Sequence, residues 1–333
     1  FIDQEHVSAL VADYAGLADQ HPATFRLEGG GAGGGLALAS AFMAVASGLW
    51  DVVVAGGTEK MTDVGDEEAN RILSSTADQE WETVFGATHA ALHAMVARRH
   101  MHEFGTTREQ MAAVAVKNHR NGAKNPNAQY QRELSLQAVL GAPMVADPLG
   151  MLDCAPLSDG AAAVVLCPLE MARKFNDTPV RIVGLGVASD TIALHDRRDL
   201  TTMDSTVTAG QKALKMAKAR PDEVNLAEVH DNYTISEILA IEDLGFVEKG
   251  KGGPATEEGI TALDGKVAVN PSGGLKALGQ PVGATGIAQA VEVVRQLRGE
   301  ANARQVAGAE IGLTHVQGGT GATAVVHVLR RAN

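Results

Sequence analysis

Cysteine is nearly absent: the 333-residue chain carries two, Cys154 and Cys167. Two thiols cannot make a disulfide framework at this length, and such sparing use fits a reducing compartment, so a cytoplasmic location is expected. Long apolar runs are lacking as well. No stretch reaches the roughly 18 residues of a membrane span, and Phe1-Ile2-Asp3-Gln4-Glu5-His6 has neither a basic nor an apolar leader region, so export and a membrane partner are not expected. Basic residues are in deficit, 28 Lys and Arg against 40 Asp and Glu, for a net charge of −12. No global positive field exists to hold a phosphate backbone, which argues against nucleic acid as a partner. Aromatic residues make up only 4%, yet 45% of the chain is hydrophobic. A chain of this size buries roughly 75% of its unfolded surface, which excludes disorder and supports one large domain or two fused halves.

What is present has a strand–helix rhythm. Thr24 to Glu28 is short and β-like, a glycine run follows, and Leu36 to Leu49 carries apolar residues at helical spacing. This reads as strand, tight turn and buried helix. Asp51-Val-Val-Val-Ala55 is apolar and too short for a helix, the mark of a strand covered on both faces, and Gly56-Gly57 closes it. Alternating strands and helices predict an α/β protein with a mainly parallel sheet. From Met61 to about Met151 the chain turns helical, charged and rich in His, Arg and Gln, as an insertion lying over the sheet would. Strands resume at Gly160 to Cys167 and Val180 to Val187, with Pro168 to Pro179 as the connector between halves. Beyond it the pattern predicts helix Ser205 to Ala219, strand Leu226 to Val229, helix Thr234 to Leu244, a loop at Lys249 to Pro254, strand Val267 to Asn270, helix Ile287 to Leu297, and strands Gly308 to Thr314 and Thr323 to Leu329. The order repeats that of Thr24 to Glu59, which points to an internal duplication.

Five segments can carry chemistry. Glu28-Gly29-Gly30-Gly31-Ala32-Gly33-Gly34-Gly35 holds six glycines in seven positions. Glycine costs about 1 kcal/mol relative to alanine inside a helix, so the run is expected to be a turn. Gly29-x-Gly31-x-x-Gly34 has the outline of a dinucleotide fingerprint but lacks an acid at the end of the second strand. Two other readings stand together: a helix–sheet contact too close for a Cβ, and a helix N-terminus whose N–H groups face a substrate carbonyl or thioester. His230-Asp231-Asn232-Tyr233-Thr234 lies where a strand ends and a helix begins; Asp231 or Thr234 is suited to cap that helix, while His230 is suited to donate a hydrogen bond or relay a proton. Asn270-Pro271-Ser272-Gly273-Gly274 and Gly279-Gln280-Pro281-Val282-Gly283 precede another helix and lack the residues of a phosphate-binding P-loop. His315-Val316-Gln317-Gly318-Gly319 reads as a third glycine-rich loop after a strand.

Other features are read as structural. His89, His93 and His100 share a helical face without a His-Glu-x-x-His motif, which favours a solvated face over a metal site, and no metal is expected. Cys154, in Asp153-Cys154-Ala155-Pro156, is a candidate nucleophile, set against the commoner role of a free cysteine as a small buried hydrophobe. Arg197-Arg198-Asp199 reads as a surface loop.

Taken in order, these loops resemble those of thiolases, and specifically the archaeal and sterol-carrier-type branch of acetyl-CoA acetyltransferases. The resemblance is carried by Met43-Ala-Val-Ala-Ser-Gly48, Gly57-Thr-Glu-Lys-Met61, Met144-Val-Ala-Asp-Pro148, Glu228-Val-His-Asp231 and Gly283-Ala-Thr-Gly286, and it runs through nearly the whole chain. It implies two fused βαβαβαββ halves in five αβαβα layers. The first half would comprise residues 1–60 and 152–175, a helical loop domain residues 61–151, and the second half residues 176–333. The family's first 50 or so residues, including its first core strand, have no counterpart here. It also implies acyl-CoA thioester substrates, no permanently bound cofactor, a homodimer or homotetramer, and assembly with an HMG-CoA synthase and an OB-fold and zinc-ribbon companion.

The same resemblance places Gly31 at the nucleophilic cysteine, Asn232 at the cysteine of the His-Asp-Cys segment, Gln280 at the histidine of the Gly-His-Pro motif, and His315 at the C-terminal His-Asn-x-Gly-Gly loop. Glycine has nothing to acylate, Gln280 takes no proton near neutral pH, and Asn232 has no thiol to cycle. Donors remain: His230, Asn232, the Gln280 amide, His315 and the N–H groups after Gly31, with Tyr233 as an acid/base partner and Ser272, Gly273, Gly274, Gly318 and Gly319 lining the substrate. Such a set stabilises a thioester enolate. Three functional readings follow: C–C cleavage of a β-hydroxyacyl-CoA by retro-aldol chemistry, with decarboxylation of a β-carboxy thioester beside it; a non-catalytic scaffold subunit; and an ordinary acetoacetyl-CoA thiolase with altered or misread residues.

Overall fold

In the computed structural model, which describes residues 4–332, α1 (Val7–Tyr14) leads through an extended stretch and a 3-10 turn at Gly30–Ala32 into α2 (Gly33–Ala46) and β1 (Val53–Glu59). Helices α3 (Asp66–Ser74), α4 (His89–Phe104), α5 (Arg108–Gly122) and α6 (Leu136–Leu140), with the small antiparallel pair β2 (Met144–Ala146) and β3 (Leu149–Gly150), occupy the region expected to be an insertion. Then come β4 (Gly160–Leu166), α7 (Leu169–Ala172), β5 (Val180–Ser189), α8 (Asp204–Ala217), β6 (Leu226–Glu228) and α9 (Thr234–Asp243). The chain finishes with α10 (Gly252–Glu257), β7 (Ala268–Val269), α11 (Gly274–Ala277), α12 (Thr285–Arg298), β8 (Ile311–Gly318) and β9 (Thr323–Arg331).

Five strands form one sheet in the order β5-β9-β8-β6-β7, while β1 and β4 pair separately. On one face of the large sheet, α8 and α9 bury Ala209, Ala213, Ala240 and Ile241 against Val229, Leu313, Val326 and Val328. Helix α8 lies almost on the backbone of β5, since a Cβ on Gly186 would stand 1.9 Å from the Ala209 carbonyl oxygen. On the other face α2 and α12 are inserted: Val316 and Val325 meet Ala32 and Ala39, and Val293 and Leu297 meet Leu226 and Leu329. The far side of the same two helices buries Leu38, Ala41, Ile287 and Ala290 against Val53, Ala55, Ala162 and Val164 of the β1–β4 pair. The layers are therefore α8 and α9, the large sheet, α2 and α12, and the small pair. The duplication is visible in the pairing, for α2 leads into β1, which runs antiparallel to β4, as α12 leads into β8, which runs antiparallel to β9.

Several expectations are corrected. The large sheet is mixed, because the short turn between β8 and β9 enforces an antiparallel pair and β5 joins β9 the same way; only β6 runs parallel to β7 and β8. The Asp51 to Ala55 run becomes a strand covered on one face, with Val54 60% and Val165 67% exposed on the other. Thr24 to Glu28 is extended but joins no sheet, since no strand lies beside it to take its hydrogen bonds. Half of the glycine run is helical rather than turn, with Gly33, Gly34 and Gly35 opening α2. Lys249 to Pro254 is partly helix, α10 beginning at Gly252, and His315 lies inside β8 rather than in a loop.

Candidate active site

The glycine run meets the end of β8 and the end of β6. A Cβ on Gly31 would stand 2.4 Å from the Gln317 carbonyl oxygen, 3.1 Å from His230 Cε1 and 3.5 Å from His230 Nε2. Neighbouring glycines are as tightly seated: a Cβ on Gly318 would meet the Gly29 oxygen at 2.0 Å, and one on Gly34 the Gly283 oxygen at 2.9 Å. The reading as a close backbone contact holds here, and the same turn brings the start of α2 beside His230. Glu28 orders the approach by accepting hydrogen bonds from the Gly29 and Gly30 amides at 2.9 and 2.8 Å.

His230 is buried, and loss of solvation, with His315 and His89 nearby, pushes its imidazole down to about 3; at neutral pH it is uncharged. Its Nδ1 is buried without a hydrogen-bond partner. Asn232, also buried, accepts from the Tyr233 amide at 3.2 Å and leaves its Nδ2 donor without a partner. Unpaired buried donors are costly in a finished core and are expected where a ligand completes them. Tyr233 stands at the start of α9, its phenol pushed up by burial and so held protonated.

The remaining residues expected in the site are distributed around this centre. His315 points to the α8 side, Nε2 on Thr206 Oγ1 at 3.0 Å and Nδ1 toward the His230 amide at 3.5 Å, so it braces His230 from behind. Ser272 is locked onto Glu228, donating from its amide at 2.9 Å and its hydroxyl at 2.7 Å. Gly273 and Gly274 adopt positive φ, packed against Gly122 and the Asp231 carboxylate. Gln280 donates its backbone N–H to Ser158 Oγ at 3.0 Å and flanks a cavity of about 710 Å³ lined in part by Leu157, Ser158, Gly279 and Pro281. Gly318 and Gly319 stay with the glycine run. Asp231 caps α11 rather than α9, accepting from the Leu275 amide at 2.7 Å and from Asn118 Nδ2 at 2.7 Å, while Thr234 donates to Asp153 at 2.9 Å. Burial and the Glu237 charge raise the Asp231 carboxyl to about 7.

Four residues read as solvated turn inward, and His89 and His93 join the centre. His89 and His93, expected on a solvated face, turn inward: His93 is buried, its ring centroid lies 4.4 Å from that of Tyr233, and His89 hydrogen-bonds the Gly319 backbone. His100 is buried too, between Thr106 and Glu242. Arg197, expected on a surface loop, is buried and donates to the Thr320 carbonyl, pinning the turn after β8. Four-residue spacing at a helix start was the available signal for the histidine pair. Among the described residues no group of three or more metal-ligating side chains is placed to hold a metal ion. Cys154 is no nucleophile: its thiol donates to the Gly150 carbonyl at 3.4 Å and burial pushes it up to about 12.

Comparison with known proteins agrees with this architecture. The family described as "Thiolase, N-terminal domain" matches residues 3–170, and "Thiolase C-terminal domain-like" matches residues 186–331. The chain is 59% identical over 331 residues to an acetyl-CoA acetyltransferase of Methanothermobacter thermautotrophicus, spanning 99% of this chain and 85% of that one. It is 34% identical over 304 residues to sterol carrier protein 2 of Bos taurus, spanning 88% of this chain and 56% of that one. A solved structure described as an Ltp2-ChsH2(DUF35) aldolase matches with a TM-score of 0.83 and 27% identity, over 99% of this chain and 85% of its own. A monomeric SCP2-thiolase-like protein of Mycobacterium smegmatis matches at 0.69 and 20% identity, over 91% and 61%, a likeness of fold alone.

Proposed function

The chain belongs to the thiolase family, and from that premise we propose that it binds an acyl-CoA thioester and breaks or forms a C–C bond without a covalent acyl-enzyme. One observation carries the reading: the position facing His230 is Gly31, where a Cβ would stand 2.4 Å from the Gln317 carbonyl oxygen, so that a cysteine side chain does not fit without a shift of backbone. Ping-pong transfer needs a sulfur there, and the Cys154 thiol is instead turned to the Gly150 carbonyl.

The groups that remain suit a non-covalent reaction. A β-hydroxyacyl-CoA seated with its thioester carbonyl toward Gly31 would meet His230, Asn232 Nδ2 and the Gly31 amide as donors to a developing enolate oxygen. Neutral imidazole and amide donors are the right kind, since a dry pocket strengthens them and no proton has to move to make them ready. Loss of the β-hydroxyl proton then lets the Cα–Cβ electrons collapse onto the thioester, releasing an aldehyde or ketone. The likeness to a structure described as an aldolase supports this direction over thiolysis, and its two-component description supports a companion subunit for this chain. The scaffold reading shares that companion and differs in predicting no turnover.

Incubation with β-hydroxyacyl-CoA thioesters, with and without added free CoA, tests the proposal. Release of acyl-CoA and a carbonyl product independent of free CoA is expected, with unchanged intact mass after acetyl-CoA treatment. An acetylated protein, or CoA-dependent cleavage of acetoacetyl-CoA, overturns it.

A further inference from the structure

The reaction above still needs a group to take the hydroxyl proton: His230 is assigned to the enolate oxygen, His315 is turned to Thr206 and the His230 amide, Tyr233 is held protonated and Asn232 does not titrate. Helix α4 brings two imidazoles to the same place. Its first residue, His89, follows the Thr88 cap, whose hydroxyl accepts from the Ala91 amide at 3.2 Å, so the helix start is fixed. One turn on, His93 Nδ1 donates to the His89 carbonyl at 2.9 Å. The His89 ring centroid lies 4.7 Å from that of His93 and 5.8 Å from that of Tyr233. His89 also bonds the Gly319 backbone in a way that favours its protonated form, which makes the carbonyl the acceptor. An imidazole with one N–H committed to a carbonyl carries its lone pair on the other nitrogen. Gly319 is itself part of the glycine contact, its amide 3.5 Å from where a Gly30 Cβ would be. The groups facing His89 are His93 from its own helix, His230 from the end of β6 and Tyr233 from the start of α9, with Arg197 acting on His93 from the turn before α8.

We propose that His89, seated on the Gly319 carbonyl and braced by His93 and Tyr233, is the acid/base residue that serves a β-hydroxyacyl thioester in this pocket. The inference rests on the function proposed above. Its free nitrogen takes the β-hydroxyl proton as the C–O bond becomes C=O; the Cα–Cβ pair passes to Cα to form the thioester enolate; and the resulting imidazolium returns the same proton to Cα. The products are one carbonyl compound and one shortened acyl-CoA, and no oxidant, reductant or metal is consumed. His93 is a positioning residue. Burial keeps both imidazoles unprotonated at neutral pH, His89 at about 4 and His93 well below its ordinary value, so the base form is present throughout the physiological range.

Exchange of the acetyl-CoA methyl protons with D₂O, followed by mass spectrometry, reads the enolate half of the reaction without knowledge of the departing carbonyl compound. Exchange is expected in the unaltered protein, with a loss of about 100-fold in His89→Phe, the size of a general acid/base contribution, and none in His102→Gln on the solvent side of the same helix. In His89→Ala, added imidazole is expected to restore exchange. If the unaltered protein shows neither exchange nor cleavage, the functional proposal falls. If it is active and His89→Phe stays within about threefold, or a folded His89→Ala is inactive and imidazole restores nothing, the assignment of His89 alone is overturned.

Discussion

The five-stranded sheet and the β1–β4 pair are built to the same local plan and end in different states. In β8 and β9 nearly every residue is buried, because helices cover both faces and strands flank both. In β1 and β4 exposed positions recur along the strand, with one face on α2 and α12 and the other open. The candidate site lies where the two regions meet, and its parts divide accordingly. His230, His315 and the Gly318-Gly319 turn hang on the buried sheet, whereas Gly31 enters from the helix that leans on the small pair. Identical strand–helix order does not confer identical stability, since burial on the second face is a property of neighbours.

The largest expected break in this contrast is inside the polar support of the large sheet. Lys117 pairs with Glu237 at 2.9 Å and reaches the Val269 carbonyl at 2.7 Å, with both side chains buried. Lys117→Met leaves the carboxylate without its cation, and urea denaturation should show a loss of about 3–5 kcal/mol. Next comes the meeting point itself: Gly31→Ala forces a methyl against the Gln317 carbonyl and should cost about 1–3 kcal/mol in the same assay.

The third prediction uses pH. Burial depresses His327 to about 3, so the folded protein holds it neutral while the unfolded chain binds a proton below about 6.5. Its contribution is present above the unfolded value and is lost as pH falls toward the folded one. Asp231 and Glu228, raised to about 7 and about 8 by burial, act in the opposite sense, so the total profile mixes the two. Comparison of His327→Gln with the unaltered protein isolates the histidine: between pH 6 and pH 4 the variant should lose less stability, by about 1.4 kcal/mol per pH unit. The smallest effect belongs to the open face, where Val165→Thr should change stability by no more than about 0.5 kcal/mol. A change as large as that at Gly31 would mean that the face is covered in solution.

Local pattern carried most elements. Helices α2, α8, α9 and α12 and strands β4, β5, β6 and β9 lie within a few residues of their expected spans, because their apolar spacing matches the faces they bury. The failures are of another kind. Thr24 to Glu28 has strand-like residues and no neighbour; Gly33 to Gly35 has poor helix propensity and is helical, with Gly34 and Gly35 letting α2 approach the Gly283–Gly286 segment and β8 at a distance that admits no side chain. His89, His93 and Arg197 look solvated in sequence, since nothing in their spacing shows that another chain segment closes over them. Of the candidate site, the glycine run and His230 were legible, but the inward turn of His89 and the commitment of Ser272 to Glu228 were not.

Composition, glycine placement and loop motifs determined the family and the presence of glycine rather than cysteine at position 31, because these are facts of covalent structure that no folding alters. Which histidines face one another, which carboxylates cap α11, and which face of β1 meets water were decided only in three dimensions. Those outcomes depend on desolvation and close approach between residues far apart in the chain, and a linear pattern records the chemistry of each residue without recording who its neighbours will be.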